Sequence, residues 1–209
     1  MNRAPAPTTF PSSRFHSLDL FGTNQARERK RRERERERGG EEDYYKDIPR
    51  WSYNLETYFL AQRFKDVLEI ARSQEVIIQD RTLFEGVHIF VANNYAMGNL
   101  SKRDYETYMD LYNVMAATVR KPDLLIYLKS SVPHLVAQIQ KRGRDYEQTM
   151  SLEYLSGLND RYDKWINEYD GKVLTIEADD LDFENRPEDF ASITDRIDAE
   201  LYGLFPLEK

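Results

Sequence analysis

Apolar positions recur with two different periods along most of the chain. From Arg50 to Arg72, Leu55, Phe59, Phe64, Val67, Leu68 and Ile70 return at near-helical spacing, which predicts a long amphipathic helix. The run Glu75-Val76-Ile77-Ile78-Gln79 is short and β-branched and predicts a buried strand. Thr82 to Ala92 and Arg103 to Val119 read as helices, the second with Ser101 as its N-cap. Pro122-Asp123 introduces Leu124 to Leu128, a continuous apolar run typical of a parallel strand covered on both faces. Val132 to Arg142 and Ser151 to Tyr169 are expected to be helical, Lys172 to Glu177 a strand, and Pro187 to Tyr202 a closing helix. Strands alternating with helices imply an α/β fold with a parallel sheet and flanking helices. Three strands are few for such a sheet, and a first strand is expected to be missing.

This patterning begins only near Tyr44. Residues 1–42 carry Pro5, Pro7 and Pro11 among Ser and Thr, then the run RERKRRERERER from Arg27 to Arg38, then Gly39-Gly40 and Glu41-Glu42. Such a segment buries too little apolar surface to offset its ordering entropy. It is expected to be a disordered low-complexity extension, or a solvated single helix, ahead of a globular domain over residues 43–209. A basic run raises the possibility of a nucleic-acid-binding adaptor, but the interleaved Glu residues weaken the attraction to phosphate. A plain AG dinucleotide repeat would also encode Arg-Glu alternation without any selected function.

Composition narrows the classes further. There are 37 acidic and 30 basic residues, a net charge of -7, which disfavours nucleic acid and anionic membranes as partners. Without cysteine, disulfides, thiolate metal sites and thiol nucleophiles are excluded. No apolar run approaches the ~20 residues of a membrane span, and Met1 to Phe21 lack the apolar core of about 7–15 residues that a signal peptide needs. Their Arg and Ser content faintly resembles a transit peptide, an impression that the acid-rich stretch after them weakens. A soluble, cytoplasmic protein is the expectation.

Three clusters carry candidate chemistry. Asp80-Arg81-Thr82 follows the first predicted strand at its carboxyl end, where ligands sit in open α/β sheets. An Arg there can fork onto a phosphoryl group while the neighbouring acid steadies it, although such pairs also cap helices. Lys141-Arg142-Gly143-Arg144-Asp145-Tyr146-Glu147 lies between two helices. It reads either as a closing loop that brings guanidinium groups to a phosphoryl group or as a cationic helix end followed by a solvated turn. In Trp51-Ser52-Tyr53-Asn54-Leu55-Glu56, Tyr53 and the following Phe59 read as core, whereas Glu56 and the earlier Tyr45 are polar-tipped and suited to a pocket that holds a base.

Taken together, RWSYNLETYFLAQRF, IIQDRTLFEGVHIF, PDLLIYL, QKRGRDYEQ and LEYLSGLNDRY resemble the bacterial deoxynucleoside kinases, especially those acting on deoxyadenosine and deoxyguanosine, in order and spacing over about four-fifths of the chain. The resemblance implies a P-loop-kinase-like fold. It implies transfer of the ATP γ-phosphoryl to the 5′-hydroxyl of a purine deoxynucleoside, with Mg2+, in a homodimer. By the same resemblance Tyr45 and Glu147 hold the sugar 3′-hydroxyl, and Arg81 contacts the 5′-hydroxyl region beside Asp80. Arg142 and Arg144 clasp the phosphates, and Asp180 and Asp182 lie in the Asp179 to Phe183 loop beside the adenine of ATP. Glu56, following Leu55, stands where the family usually has a Gln that reads the base edge. A carboxylate accepts but cannot donate as an amide does, so the pairing should change in character. Gly86 stands where many relatives have an Asp that helps read the base, with Glu85 adjacent.

One family element is not found in these residues. None of the nine glycines stands five positions before a Gly-Lys-Ser or Gly-Lys-Thr, so no G-x-x-x-x-G-K-[ST] phosphate loop occurs. The family's general-base Glu would fall in the same region, and Glu41 and Glu42 lie too close to Tyr45 to replace it. Charge-assisted hydrogen bonds contribute roughly 1.5–3 kcal/mol each, so losing several donors, a lysine and the base should lower turnover by many orders of magnitude. The alternative is a non-catalytic paralogue that binds nucleosides or dimerises with an intact kinase.

Overall fold

The computed structural model of the chain describes residues 40–145, 147 and 150–203. The expectation for residues 1–42 therefore lies outside the described residues up to position 39. Residues 40–42, assigned from the sequence to the extension, belong to a short helix, α1 (40–46).

Helix α2 (Ile48–Ile70) starts where Asp47 accepts a hydrogen bond from the backbone N–H of Arg50. Thr82 and Glu85 form a capping box that opens the next helix, with Glu85 accepting from the Thr82 backbone N–H at 2.8 Å. That helix runs through α3 (Leu83–Glu85), a π-helical stretch (Gly86–Val91) and α4 (Ala92–Ala96). It is longer than its apolar pattern predicts and less regular. Val87, Ile89 and Val91 are all buried, because this segment sits centrally and packs against α2, α5 and α7. The wider π turn lets three successive odd positions face neighbouring helices.

Ser101 caps α5 (Lys102–Ala116), Ser131 caps α6 (Val132–Arg142) and Ser151 caps α7 (Leu152–Glu168), each accepting from the N–H three residues on. Helix α6 stops at Gly143, whose φ of 66° is left-handed and open to glycine at little cost. The closing helix is α8 (Pro187–Tyr202).

Strands β1 (Leu125–Lys129) and β2 (Val173–Glu177) pair in parallel, Leu125 opposite Val173 through Lys129 opposite Glu177. Leu125, Tyr127, Leu174 and Ile176 are buried against the helices. The apolar run at β1 is covered less fully than expected, since Leu128 is 50 % exposed. The strand expected at Glu75–Gln79 does not form, and Val76 and Ile78 are 56 % and 67 % exposed. A strand needs a partner for its N–H and C=O groups. Among the described residues no strand pairs with this run, so β propensity alone does not make it one.

The core is mostly helix on helix, with Leu60, Leu83, Ile89, Val91, Tyr108 and Trp165 in one buried cluster. Gly157 lets α7 approach α4, because a Cβ there would stand 2.6 Å from the Asn93 side-chain oxygen.

Candidate active site

The helices around the π turn enclose one cavity of about 670 Å³. Its inner end is formed by Leu60 and Glu56 of α2, Leu83, Gly86 and Tyr108. Its mouth is formed by Lys141, Arg142, Arg144 and Glu147, with Glu41 from α1. Phe59, Phe90 and Tyr162 supply flat walls between the two ends. Phe59, expected in the core, is therefore a wall of the cavity.

A continuous hydrogen-bonded network supports the inner end. The Asn94 side chain is fully buried, and its Oδ1 accepts from the Tyr44 hydroxyl at 3.0 Å and from Asn99 Nδ2 at 3.2 Å. Its Nδ2 donates to Glu56 Oε1 at 3.2 Å. The Tyr44 hydroxyl stands 3.1 Å from that of Tyr154, which donates to it because the Tyr44 proton is already committed to Asn94. Burial pushes the Tyr44 phenol up to about 12. Burial likewise pushes the Glu56 carboxyl up to about 8, against the pull of Arg81 and the bond from Asn94. Burial thus favours the neutral acid at Glu56, a form that donates as well as accepts, unlike the carboxylate expected from the sequence.

At the mouth, Glu147 is 5 % exposed and accepts from Arg142 at 3.0 and 2.7 Å and from Arg144 at 3.3 Å. Arg144 also lies 3.7 Å from Glu41. Both arginine side chains remain about half exposed, at 49 % and 46 %. Between the two ends, Arg81 holds a left-handed backbone with φ of 60°, uncommon for a residue with a side chain. Its guanidinium lies 4.7 Å from the centre of the Phe90 ring.

The cavity brings together Tyr45, Leu55, Glu56, Arg81, Gly86, Arg142, Arg144 and Glu147. Asp80, Asp180 and Asp182 do not line it. Asp182 is occupied in its own turn, accepting from Asn185, and the Asp180 carbonyl accepts from Arg186. Asp179 ties the ends of the two strands together, accepting from Ser130 Oγ at 2.6 Å and Ser131 N–H at 2.9 Å. These bonds hold its carboxyl down to about 2. Glu184 is the residue of this loop that reaches the cavity.

Sequence reasoning missed Asn94, Tyr44, Tyr154 and Tyr108. The available signal was Asn93-Asn94 inside the apolar stretch from Leu83 to Val91 and beyond, where two amides interrupt a face that should be buried. It also set aside Glu41, which lines the cavity.

Comparison with known proteins agrees with this geometry. A family model described as deoxynucleoside kinase matches residues 26–202, starting upstream of the Asp43 boundary. The deoxyadenosine/deoxycytidine kinase of Bacillus subtilis (strain 168) is 35 % identical over 159 residues, covering 75 % of this chain and 73 % of the relative. The deoxyguanosine kinase of the same organism is 30 % identical over 161 residues, covering 75 % and 77 %. A solved deoxyadenosine kinase from M. mycoides with bound dATP superposes with a TM-score of 0.65 at 34 % identity, covering 76 % of this chain and 80 % of that one. Its alternating elements, its parallel strand pair and this likeness make the fold that of a P-loop-type α/β kinase, and the chain belongs to the deoxynucleoside kinase family.

Proposed function

We propose that the cavity binds a deoxynucleoside, base inward, and serves phosphoryl transfer from ATP to its 5′-hydroxyl. The observation that carries this reading is one cavity joining a buried end of neutral polar groups to a mouth of arginines. A base is flat and apolar with a polar edge, which suits Phe59, Phe90 and Tyr162 as walls and Glu56 as a hydrogen-bonding end. The sugar then lies toward Tyr45 and Glu147, and the 5′-carbon toward Arg81. Phosphoryl transfer spreads negative charge over oxygens, and the cavity lining supplies Arg142 and Arg144 at the mouth and Arg81 further in to meet it.

The donors at the mouth fit the phosphates of ATP. No three His, Asp or Glu side chains gather among the described residues; magnesium at such sites is held by one or two carboxylates with the substrate phosphates, and no step here runs through the ion. A homodimer is supported by family membership and by Leu111 and Val114, exposed on α5. A cytoplasmic location belongs to the same reading, and no helix among the described residues is long and apolar enough to cross a membrane.

The absence of a phosphate loop from the 209 residues favours a second reading, a binder with little or no turnover. Incubating purified protein with Mg-ATP and deoxyadenosine or deoxyguanosine separates the two. Monophosphate formation that Arg81→Ala lowers by about 10²–10³ supports the kinase. Ligand-dependent stabilisation without product supports the binder, and neither result rejects the deoxynucleoside site.

A further inference from the structure

We propose that Glu56 reads the base as a neutral carboxylic acid, which selects bases whose Watson–Crick edge offers an unprotonated ring nitrogen beside an amino group (adenine N1, cytosine N3) over those that carry a ring N–H there (guanine N1, thymine N3). The proposal rests on the cavity being a deoxynucleoside site.

The placement of the acid comes first. Glu56 is 6 % exposed in the lining of the cavity, and the hydrogen bond it accepts comes from the neutral Asn94 amide rather than from a cation. Burying a carboxylate without a hydrogen-bonded cation is costly and favours the neutral form. The groups that face it are Tyr44 from α1, Arg81 from the turn before α3, Asn94 from α4, Tyr108 from α5 and Tyr154 from α7. Arg81 opposes neutralisation, and it is drawn onto the Phe90 ring. The three phenols are all raised by burial, so none of them ionises near neutrality. The nearest histidine in the fold's centre, His88, is held below its usual value by burial and is discharged at lower pH.

The network also fixes which oxygen carries the proton. Asn94 Oδ1 is taken by two donors, so its Nδ2 is the atom that meets Glu56 Oε1. Oε1 therefore accepts, and the acid proton resides on Oε2, where it can donate into the cavity. A donor at this point matches the unprotonated ring nitrogen of adenine or cytosine. It opposes the ring N–H of guanine or thymine, donor against donor.

A second polar group completes the pattern. Tyr108 is 1 % exposed and lines the same end, and its hydroxyl makes no hydrogen bond to another described residue. A Cβ at position 86 would stand 3.2 Å from that hydroxyl. Gly86 leaves the oxygen clear to accept from an exocyclic amino group.

The test is calorimetric titration of the full chain with deoxyadenosine, deoxycytidine, deoxyguanosine and thymidine from about pH 6 to 9, spanning the carboxyl's titration. Affinity for deoxyadenosine and deoxycytidine should fall about tenfold per pH unit above about pH 8, while that for deoxyguanosine rises up to that point. Glu56→Gln, which donates and accepts at every pH, should flatten all four profiles. Preference for deoxyguanosine or thymidine at neutral pH, or wild-type profiles as flat as the variant's, overturns the proposal and leaves the nucleoside site standing. Binding of none of the four overturns both.

Discussion

Two carboxylates at opposite ends of one cavity are buried to the same degree and handled in opposite ways. Glu147 at the mouth is 5 % exposed and has two guanidinium groups on it; Glu56 at the inner end is 6 % exposed and has an amide and a cavity. Burial alone therefore does not decide what partners an acid is given. The mouth carries its arginines on a helix end and a following turn, where half their surface meets water, so ion pairing there desolvates little. The inner end is packed by rigid helices with no such exit, and proton uptake is the cheaper solution. One end is thereby suited to anionic phosphate and the other to a neutral base.

The inner network should break hardest. Asn94→Ala leaves the Tyr44 hydroxyl, the Asn99 amide and Glu56 without their shared partner, and chemical denaturation should record a loss of about 3 kcal/mol or more. The next effect separates the two acids by pH. Because the Glu56 carboxyl is raised from 4.5 to about 8 on folding, its contribution is fully present below about pH 4.5 and is lost as pH rises to about 8. Stability should fall across that window by up to roughly 1.4 kcal/mol per pH unit, and Glu56→Gln should remove the slope.

Glu147→Ala should cost about 1 kcal/mol in the same assay, since the freed arginines are half exposed and rehydrate. Tyr108→Phe should change stability least, by under about 1 kcal/mol, because the ring stays in place. Its effect belongs to binding, a loss of roughly tenfold for deoxyadenosine and deoxycytidine by calorimetry.

The sequence made the outer architecture legible and the inner site only partly so. Helix α6 is bounded by Ser131 and Gly143, and α8 begins at Pro187, so local chemistry alone marks their ends. The exposed run at Glu75–Gln79 carries every local mark of a strand, yet pairing is a tertiary event that those marks cannot supply. The motif residues Tyr45, Glu56, Arg81, Arg142, Arg144 and Glu147 could be picked out because they resemble a family pattern. Asn94 could not, since its role depends on meeting Tyr44 and Glu56, 50 and 38 positions away. The protonation of Glu56 was hidden for the same reason, because desolvation is set by the helices that close around it.

The most direct measurement follows the side-chain carboxyl carbons of glutamate by NMR as pH is raised, in the wild type and in Glu56→Gln. One glutamate resonance should titrate near pH 8 and be absent from the variant. If every glutamate instead titrates in the ordinary carboxylate range, the inner end of the cavity is anionic and the contrast between the two acids is wrong.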